Sequence, residues 1–427
     1  MISVYIKKVA KNFSWLVFDK LFFMLFSFVF LIYVANYYGP SEYGGYQYAL
    51  SLNIIFGVVV LFVDEKIVKK LFTEEGESRV LFNALISKIA LSVFSLAIGM
   101  AILLMMNASK SFNLIYIFLL VNNIIISIIF LFSWHFDYHL RSKSVVLASN
   151  FTHVVSALIQ VTVIALALPI VFIASAVLFC SLLKLSIVFH NFNKSYKNLI
   201  IPIIEKELIY KIIKSSFPLA IAGAAAMIYS RTDQIMIGSM LSLEQVGIYS
   251  ISSQMMSVVF IAIIPIQISV YPKMLELYES NKDFYYKKYQ VISSFSIWLY
   301  FFGAVLSIIL APLFFNYFLS SSYSKSLDVF FIHLIGGFFM YNAVFRSSHF
   351  TIIGNTKILM ISQIIAIFIN VLLNYFLIPR LGISGAAIAT VFTLFISLTL
   401  SNIFFKDGRK IFFIQIKSLN PLSMLLK

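Results

Sequence analysis

Seven charged residues lie inside long apolar stretches of this sequence, where a charge is costly to bury. Five are basic and two are acidic: Lys20, Lys88, Lys184, Arg231 and Arg346, with Asp19 and Asp233. A charged side chain in the middle of a membrane helix costs about 2.5–3.5 kcal/mol on insertion scales, so such residues usually serve a function. The excess of basic over acidic residues favours an anionic ligand.

Depth along each apolar stretch distinguishes the three lysines and Arg346 from one another. Lys184 lies about six residues from the inner end of its stretch, or ~9 Å, and its long side chain can reach the interface. Lys20, Lys88 and Arg346 each lie about seven residues in, where that reach is marginal. A functional and a structural role therefore stay open for these three.

Arg231 and Asp233 lie far from the inner end of their stretch and seven to nine residues from its outer end, where lipid exposure is not expected. They lie about sixteen to eighteen residues into their stretch in the order Arg231-Thr232-Asp233. Residues two apart on a helix point about 200° away from each other, so these two cannot pair on one face. Each is expected to meet another helix, either as a structural ion pair or as part of a binding site. Asp19 is the corresponding acid in the first half of the chain.

Twelve apolar stretches, each near the ~20 residues that a membrane span needs, predict an all-α integral membrane protein. The chain is 61% hydrophobic and 11% charged, with a mean hydropathy of +0.96. Soluble domains average about 25% charged residues. The predicted spans are 13–35, 45–63, 81–106, 112–133, 145–168, 170–190, 215–240, 247–271, 291–317, 328–353, 358–378 and 384–405.

The basic residues outside the spans predict the orientation. Of the 32 Lys and Arg residues, 24 fall at the termini and in the even-numbered loops, and three fall in the odd-numbered loops. Cytoplasmic loops carry this excess of positive charge. Both termini are therefore predicted to be cytoplasmic. The net charge of +15, gathered in short clusters beside apolar spans, fits anionic lipid headgroups rather than nucleic acid.

The spans divide into two pseudo-symmetric bundles of six helices. We predict an N-terminal bundle at 1–190, a cytoplasmic linker at 191–214, a C-terminal bundle at 215–405 and a cytoplasmic tail at 406–427. An acid followed by Gly-x-Tyr opens the second span of each half, at Gly44-Gly45-Tyr46 and at Gly247-Ile248-Tyr249. An even number of spans per half keeps both halves in one orientation, which makes this a parallel repeat.

Several kinds of site are not indicated by the sequence. The single cysteine, Cys180, lies in an apolar run and suggests no disulfide or Cys-x-x-Cys metal site. His135, His139, His190 and His333 show no metal-ligand spacing, so packing is the expected role and no metal or other cofactor is predicted. No Walker A loop and no nucleophile–base arrangement is present. The sequence therefore predicts that the protein is not an enzyme.

Three stretches resemble a known family. They are Gly39-Pro40-Ser41-Glu42-Tyr43-Gly44; the run from Pro218 to Tyr249, with Asp233-x-x-Met236-Ile237-Gly238 and Val246-Gly247-x-Tyr249; and Gly354-Asn355 followed by Asn370, Asn374, Pro379 and Gly385-Ala386-Ala387. Together they resemble the polysaccharide or O-antigen flippases, lipid-linked oligosaccharide exporters of the MATE-like MOP superfamily. The resemblance extends over nearly the whole chain.

This resemblance implies a flippase in a bacterial inner membrane. Such proteins carry an undecaprenyl-pyrophosphate-linked oligosaccharide, an O-antigen or capsule repeat unit, from the cytoplasmic to the outer leaflet by alternating access. It also implies contact with membrane lipids and with a polysaccharide polymerase and assembly proteins. Site roles follow from it: Arg231, Lys88, Lys20 and Arg346 as phosphate or sugar contacts, and Asp233 and Asp19 as charge-balancing or ion-coupling residues.

Two other functions remain open on the sequence alone. A cation-coupled multidrug extruder of the same fold would need acidic and aromatic cavity walls and less buried positive charge. A membrane polysaccharide polymerase or ligase would need a large outer loop bearing catalytic residues, whereas the predicted outer loops here are short.

The predicted orientation can be tested with reporter fusions. Fusions placed after Lys110 and Lys325 are expected outside the cytoplasm, and fusions after Arg141 and Lys288 inside it, because basic loops stay in the cytoplasm. Alkaline phosphatase activity and green fluorescence at the same junctions give opposite readouts and control each other. A reversed pattern would contradict the predicted topology.

Overall fold

The computed structural model describes residues 2–106, 108–196, 202–260 and 263–425, without the side chains of 2–13, 16, 17, 19–21, 23–25, 265, 268, 424 and 425. Every regular element in these ranges is a helix. The α-helices are α1 (Ile2–Gly57), α2 (Glu65–Glu75), α3 (Glu77–Met105), α4 (Lys110–Tyr138), α5 (Lys143–Ala165), α6 (Val171–Ser195), α7 (Lys206–Met240), α8 (Leu243–Phe260), α9 (Ile263–Ser280), α10 (Lys282–Phe318), α11 (Ser324–Asn342), α12 (Arg346–Ile352), α13 (Lys357–Leu381), α14 (Ile383–Leu394) and α15 (Lys406–Lys417).

The protein is a multi-pass membrane protein, and the predicted all-α fold is confirmed. Ten helical runs in the described ranges are long and apolar enough to cross a membrane. The predicted count was twelve, and two details account for the difference. The first two predicted spans share one run, Phe26–Glu75. The predicted span 247–271 includes residues 261 and 262, which lie outside the described residues, and the flanking helices α8 and α9 are not among the ten.

The first two predicted spans are joined without a loop. Helix α1 continues through a kink at Gly39, whose φ of 72° and ψ of 172° are not helical. Glycine adopts a positive φ at little cost because it has no Cβ. Pro40 follows and is well suited to restart a helix, where its missing N–H is not needed. The second helical part therefore begins five residues earlier than the sequence predicted.

Some predicted spans and loops are built differently from a simple helix and connection. The predicted span 328–353 consists of α11 and α12, which are separated by a turn at 343–345. The predicted span 384–405 begins as α14 and ends in a π-helical turn and a 3-10 turn. Two polar regions predicted as loop and tail contain amphipathic helices, α2 and α15, each of which buries one apolar face.

The chain forms two compact units. Unit 1 contains residues 1–38 and 45–227, and unit 2 contains residues 39–44 and 228–427. Helix α7 contributes its first part to unit 1 and its last part to unit 2. The domain boundaries drawn from the basic linker at 191–214 stay a prediction.

Within unit 1, polar contacts fix the described end of the linker to the start of α3. Asn83 Nδ2 donates to the Ile203 carbonyl over 3.1 Å, and Asn83 Oδ1 accepts from the Glu205 N–H over 2.8 Å. Arg79 Nε donates to Glu205 Oε1 over 2.7 Å. The hydrogen bond from Arg79 lowers the pKa of the Glu205 carboxyl. Helix α7 therefore starts from an anchored segment at Lys206.

Within unit 2, the segment 39–44 crosses the start of α8 with backbone against backbone. A Cβ on Gly44 would overlap the Leu243 carbonyl oxygen, and a Cβ on Gly247 would overlap the carbonyl oxygen of Pro40. Both glycines belong to the repeated Gly-x-Tyr signatures. Each of the two repeated signatures therefore contributes one glycine to this crossing within unit 2.

Candidate functional site

Arg231 and Asp233 lie on α7 beside a cavity of about 350 Å³ in unit 2. Both side chains are half-buried. Helices α8, α11 and α14 supply the other walls. The cavity is lined by Tyr229, Ser230, Arg231, Asp233, Gln234, Tyr249, Ser253, Gln254, Met256, Ser257, Phe260, His333, Gly336, Gly337, Met340, Thr390 and Leu394.

The Asp233 carboxylate accepts hydrogen bonds from four neutral side chains. Tyr249 Oη on α8 donates to Oδ2 over 2.6 Å, and Thr390 Oγ1 on α14 donates to the same oxygen. Asn370 and Asn374, one turn apart on α13, donate their Nδ2 groups to Oδ1 over 3.0 and 2.7 Å. Hydrogen bonds to a charged group contribute about 1.5–3 kcal/mol each. One carboxylate thus joins α7 to three other helices.

A chain of hydrogen bonds extends from Asp233 to α11. Because Tyr249 Oη gives its proton to Asp233, it accepts from His333 Nε2, which lies 3.2 Å away. The Nδ1 of His333 then accepts from Ser252 Oγ over 2.9 Å. This direction assigns the proton of the neutral imidazole to Nε2. His333 is therefore a buried hydrogen-bonding residue of the cavity wall.

Arg231 faces the same cavity with far fewer partners. Its Nη1 donates to Gln234 Oε1 over 3.2 Å, on the next turn of α7. In the part of the chain that the structure describes, no ion pair joins its guanidinium to a carboxylate, including that of Asp233. The remaining donors of the planar guanidinium suit a phosphate or carboxylate ligand, which it can bind with two parallel hydrogen bonds.

Lys88 lies in unit 1, on α3, and does not line this cavity. Its side chain is only 2% exposed. The ammonium lies 4.3 Å from the centre of the Trp134 ring, a cation–π contact. Within the described ranges no carboxylate pairs with it. The sequence left open whether Lys88 reaches the interface, and the structure places it in the protein interior.

Arg346 is buried in unit 2 by neutral groups. Its Nε donates to Asn402 Oδ1 over 2.7 Å, and its Nη2 donates to Ser362 Oγ over 2.7 Å. The guanidinium carbon lies 5.1 Å from the centre of the Phe350 ring. These contacts connect the start of α12 with α13 and with the 3-10 turn that ends the last apolar span. Arg346 does not line the cavity beside Arg231.

Lys20 and Asp19 complete the set of predicted site residues. The side chains of Lys20 and Asp19 lie outside the described residues, although their backbone belongs to α1. The structure therefore brings Arg231 and Asp233 to one cavity, places Lys88 in the other unit, and surrounds Arg346 with amide and hydroxyl groups.

The sequence did not single out the partners of Asp233. Asn370, Asn374, Thr390 and Tyr249 all lie in the stretches that carry the family resemblance, but no role was predicted for them. One signal was available, because Asn370 and Asn374 are four residues apart in an apolar span. Two amides on one face of a membrane helix need polar partners.

Comparison with known proteins identifies the family. The family model described as "Polysaccharide biosynthesis protein" matches residues 9–278, which is more than half of the chain. The chain belongs to this family. A search of curated proteins finds no match.

Solved structures share the fold over nearly the full chain. An inward-facing multidrug resistance MATE transporter of the MOP superfamily has a TM-score of 0.74 at 13% identity, covering 93% of this chain and 96% of that one. Lipid II flippase MurJ in the inward closed conformation has a TM-score of 0.71 at 15% sequence identity, and the match covers 96% of this chain and 91% of that one. The MATE transporter DinF-BH, solved in complex with rhodamine 6G, has a TM-score of 0.65 at 15% sequence identity, and the match covers 95% of this chain and 96% of that one. At these identities the likeness concerns the fold, and it confirms the MATE-like architecture that the sequence predicted.

The surroundings of Arg346 predict a role in stability. Arg346→Met removes a buried donor and leaves Asn402 Oδ1 without this partner, which is expected to cost about 1–3 kcal/mol. The measurement is the thermal unfolding midpoint of the purified protein in detergent. Arg380→Met, at an exposed arginine, is the matched control and should leave the midpoint unchanged. Equal midpoints for the two variants would contradict a stabilising role.

Proposed function

We propose that this protein is a flippase that moves an undecaprenyl-pyrophosphate-linked oligosaccharide, an O-antigen or capsule repeat unit, from the cytoplasmic to the outer leaflet. The observation that carries the proposal is the cavity-facing guanidinium of Arg231, which has amide and hydroxyl neighbours and no carboxylate partner among the described residues. Membership of the polysaccharide biosynthesis family and a MurJ-like fold support this cargo class.

The chemistry of the cargo explains why such a protein is needed. A pyrophosphate and a string of sugars cannot cross hydrocarbon unaided, because burying a charge or an unpaired polar group is strongly unfavourable. A cationic site can hold the phosphates while the polyprenyl tail stays in the bilayer. Hydroxyl and amide side chains such as Ser253, Gln254 and Ser257 offer hydrogen bonds to sugars in the same cavity.

The other intramembrane cations are proposed as further contacts with the cargo. Lys88 and Lys20 would also contact the phosphates or the sugars of the cargo. Arg346 would have to exchange Asn402 and Ser362 for the cargo, since both now accept its hydrogen bonds. The proposed setting is a bacterial inner membrane with both termini in the cytoplasm, where a polysaccharide polymerase and assembly proteins would receive the product.

Asp233 is proposed as the residue that couples transport to an ion gradient, with Asp19 as its counterpart in unit 1. The hydroxyl oxygens of Tyr249 and Thr390 lie beside the Asp233 carboxylate, and carboxylate and hydroxyl oxygens suit a proton or a hard cation. The Oδ1 atom of Asn374 is buried there without a hydrogen-bond partner in the described part of the chain. The membrane potential contributes about 2.3 kcal/mol per charge per 100 mV, enough to bias a two-state equilibrium.

A cation-coupled multidrug extruder is the second candidate function. It is favoured by the likeness to MATE transporters, one of them solved with rhodamine 6G. The apolar part of the cavity wall, Met256, Phe260 and Met340, could contact such a compound. Cells that express the protein and lack their own extruders should then expel this dye, whereas a flippase should leave its accumulation unchanged.

Substitution of Arg231 tests the cargo proposal. Arg231→Ala is expected to abolish surface polysaccharide while the protein remains in the membrane, because the phosphates lose their cationic contact. Arg231→Lys keeps the charge but cannot form the bidentate hydrogen bonds of a guanidinium, so partial activity is expected. The measurement is surface polysaccharide by immunoblot, normalised to membrane protein, in a strain without the chromosomal copy. Arg380→Ala is the exposed control. Normal polysaccharide with Arg231→Ala would contradict the proposed contact.

Substitution of Asp233 tests ion coupling separately. Asp233→Asn removes the charge and places an N–H₂ group against one pair of the four donors. The initial rate of cargo translocation in proteoliposomes, measured with imposed Na⁺ or pH gradients, should lose its dependence on the coupling gradient. Asp328→Asn makes the same change at an exposed site and should keep that dependence. An unchanged gradient dependence with Asp233→Asn would assign Asp233 a structural role only.

A further inference from the structure

Three side chains of the types that can bind metal ions lie together in unit 1. None of them lines the cavity of unit 2. Glu77 lies in the first turn of α3, and His135 and His139 lie one turn apart at the end of α4. The Nε2 atoms of both histidines lie 2.9 Å from the same carboxylate oxygen, Glu77 Oε2. The potential ligand atoms of all three residues lie within 4.8 Å of one another.

We propose that Glu77, His135 and His139 form a binding site for a divalent first-row transition metal, with Zn²⁺ as the best-fitting ion. Two imidazole nitrogens and one carboxylate are a ligand set that such ions favour, whereas Mg²⁺ and Ca²⁺ prefer oxygen ligands alone. A tetrahedral Zn²⁺ with bonds of about 2.1 Å holds its ligand atoms ~3.4 Å apart. The two nitrogen–oxygen separations of 2.9 Å are about half an ångström shorter than that value, so small side-chain rotations would complete the site.

The surroundings hold the ligands in place and leave a route to the ion. His135 is fully buried, and its ring packs edge-on against the rings of Phe72, Phe192 and Tyr196. The side chains of His139 and Glu77 are 31% and 26% exposed, so an ion can enter from that side. Three protein ligands leave the fourth position to water or to another ligand.

One feature of the site limits its affinity for a metal ion. A ligating imidazole usually donates its second N–H to an outer partner, which fixes the ring and raises its affinity. The Nδ1 of His135 is buried and has no hydrogen-bond partner in the described part of the chain. We therefore expect Zn²⁺ to bind about 10–100-fold more weakly than at a site with full outer support.

A bound ion would act as a reversible clamp within unit 1. It would tie the start of α3 to the end of α4, beside the packed side chains of α2 and α6. By the predicted orientation these helix ends face the cytoplasm. The clamp does not depend on the identity of the cargo, and its failure would leave the proposed flippase function untouched.

The proposal is tested by metal titration of the full chain, purified in detergent with any histidine tag removed and stripped with chelator. Co²⁺ serves as the spectroscopic probe, because its visible absorption bands report nitrogen and oxygen ligands in a site of low coordination number. One equivalent of Co²⁺ is expected to produce these bands, and one equivalent of Zn²⁺ to remove them. Zn²⁺ is also expected to raise the thermal unfolding midpoint.

Variants separate this site from chance binding. Glu77→Gln and His139→Ala should each lose the Co²⁺ bands, whereas His190→Ala, at an exposed histidine of α6, should retain them. Glu77→Gln keeps the shape and hydrogen bonding of the side chain, so it remains informative if His139→Ala folds poorly. Folded protein that binds no Co²⁺, or binds it equally well with Glu77→Gln, would show that these residues form only a hydrogen-bonded glutamate–histidine cluster.

Discussion

The carboxylate of Asp233 is the interaction on which the architecture of unit 2 depends most. In hydrocarbon a bare carboxylate is so unfavourable that its neighbours must supply hydrogen bonds or a cation. Here four neutral donors from α8, α13 and α14 supply them. The positions of these helices relative to α7 are therefore fixed by one charge. The cavity wall that contains Tyr249 and Thr390 is fixed with them.

The buried cations are accommodated in three different ways, and the differences bear on function. Arg346 is enclosed by amide and hydroxyl acceptors, and Lys88 lies against an aromatic ring. Arg231 keeps most of its hydrogen-bonding capacity facing a cavity. A cation whose partners are already in place must exchange them before it can bind a ligand. A cation with donors to spare gains most when an anionic ligand arrives.

Much of the fold could be predicted from the sequence, because apolar length and basic clusters follow directly from the bilayer. The joint between the first two spans was missed, since a single Gly-Pro pair replaces the expected loop. The positions of Arg231 and Asp233 deep within a span could be predicted. Whether Lys88 is buried or reaches the membrane interface could not, because that depends on which side of α3 faces the protein. The meeting of Glu77 with His135 could not be predicted, because 58 residues separate them along the chain.

The glycine crossing in unit 2 affects how related sequences should be interpreted. Gly44 and Gly247 are required because two backbones touch, and Gly39 is required for its backbone angle. None of these requirements involves a transported molecule. A search with these signatures therefore groups proteins by chain path and mixes carriers of unrelated compounds. Differences in selectivity are better sought at wall positions such as Phe260 and Met340, where a change of side chain alters the cavity and leaves the crossing intact.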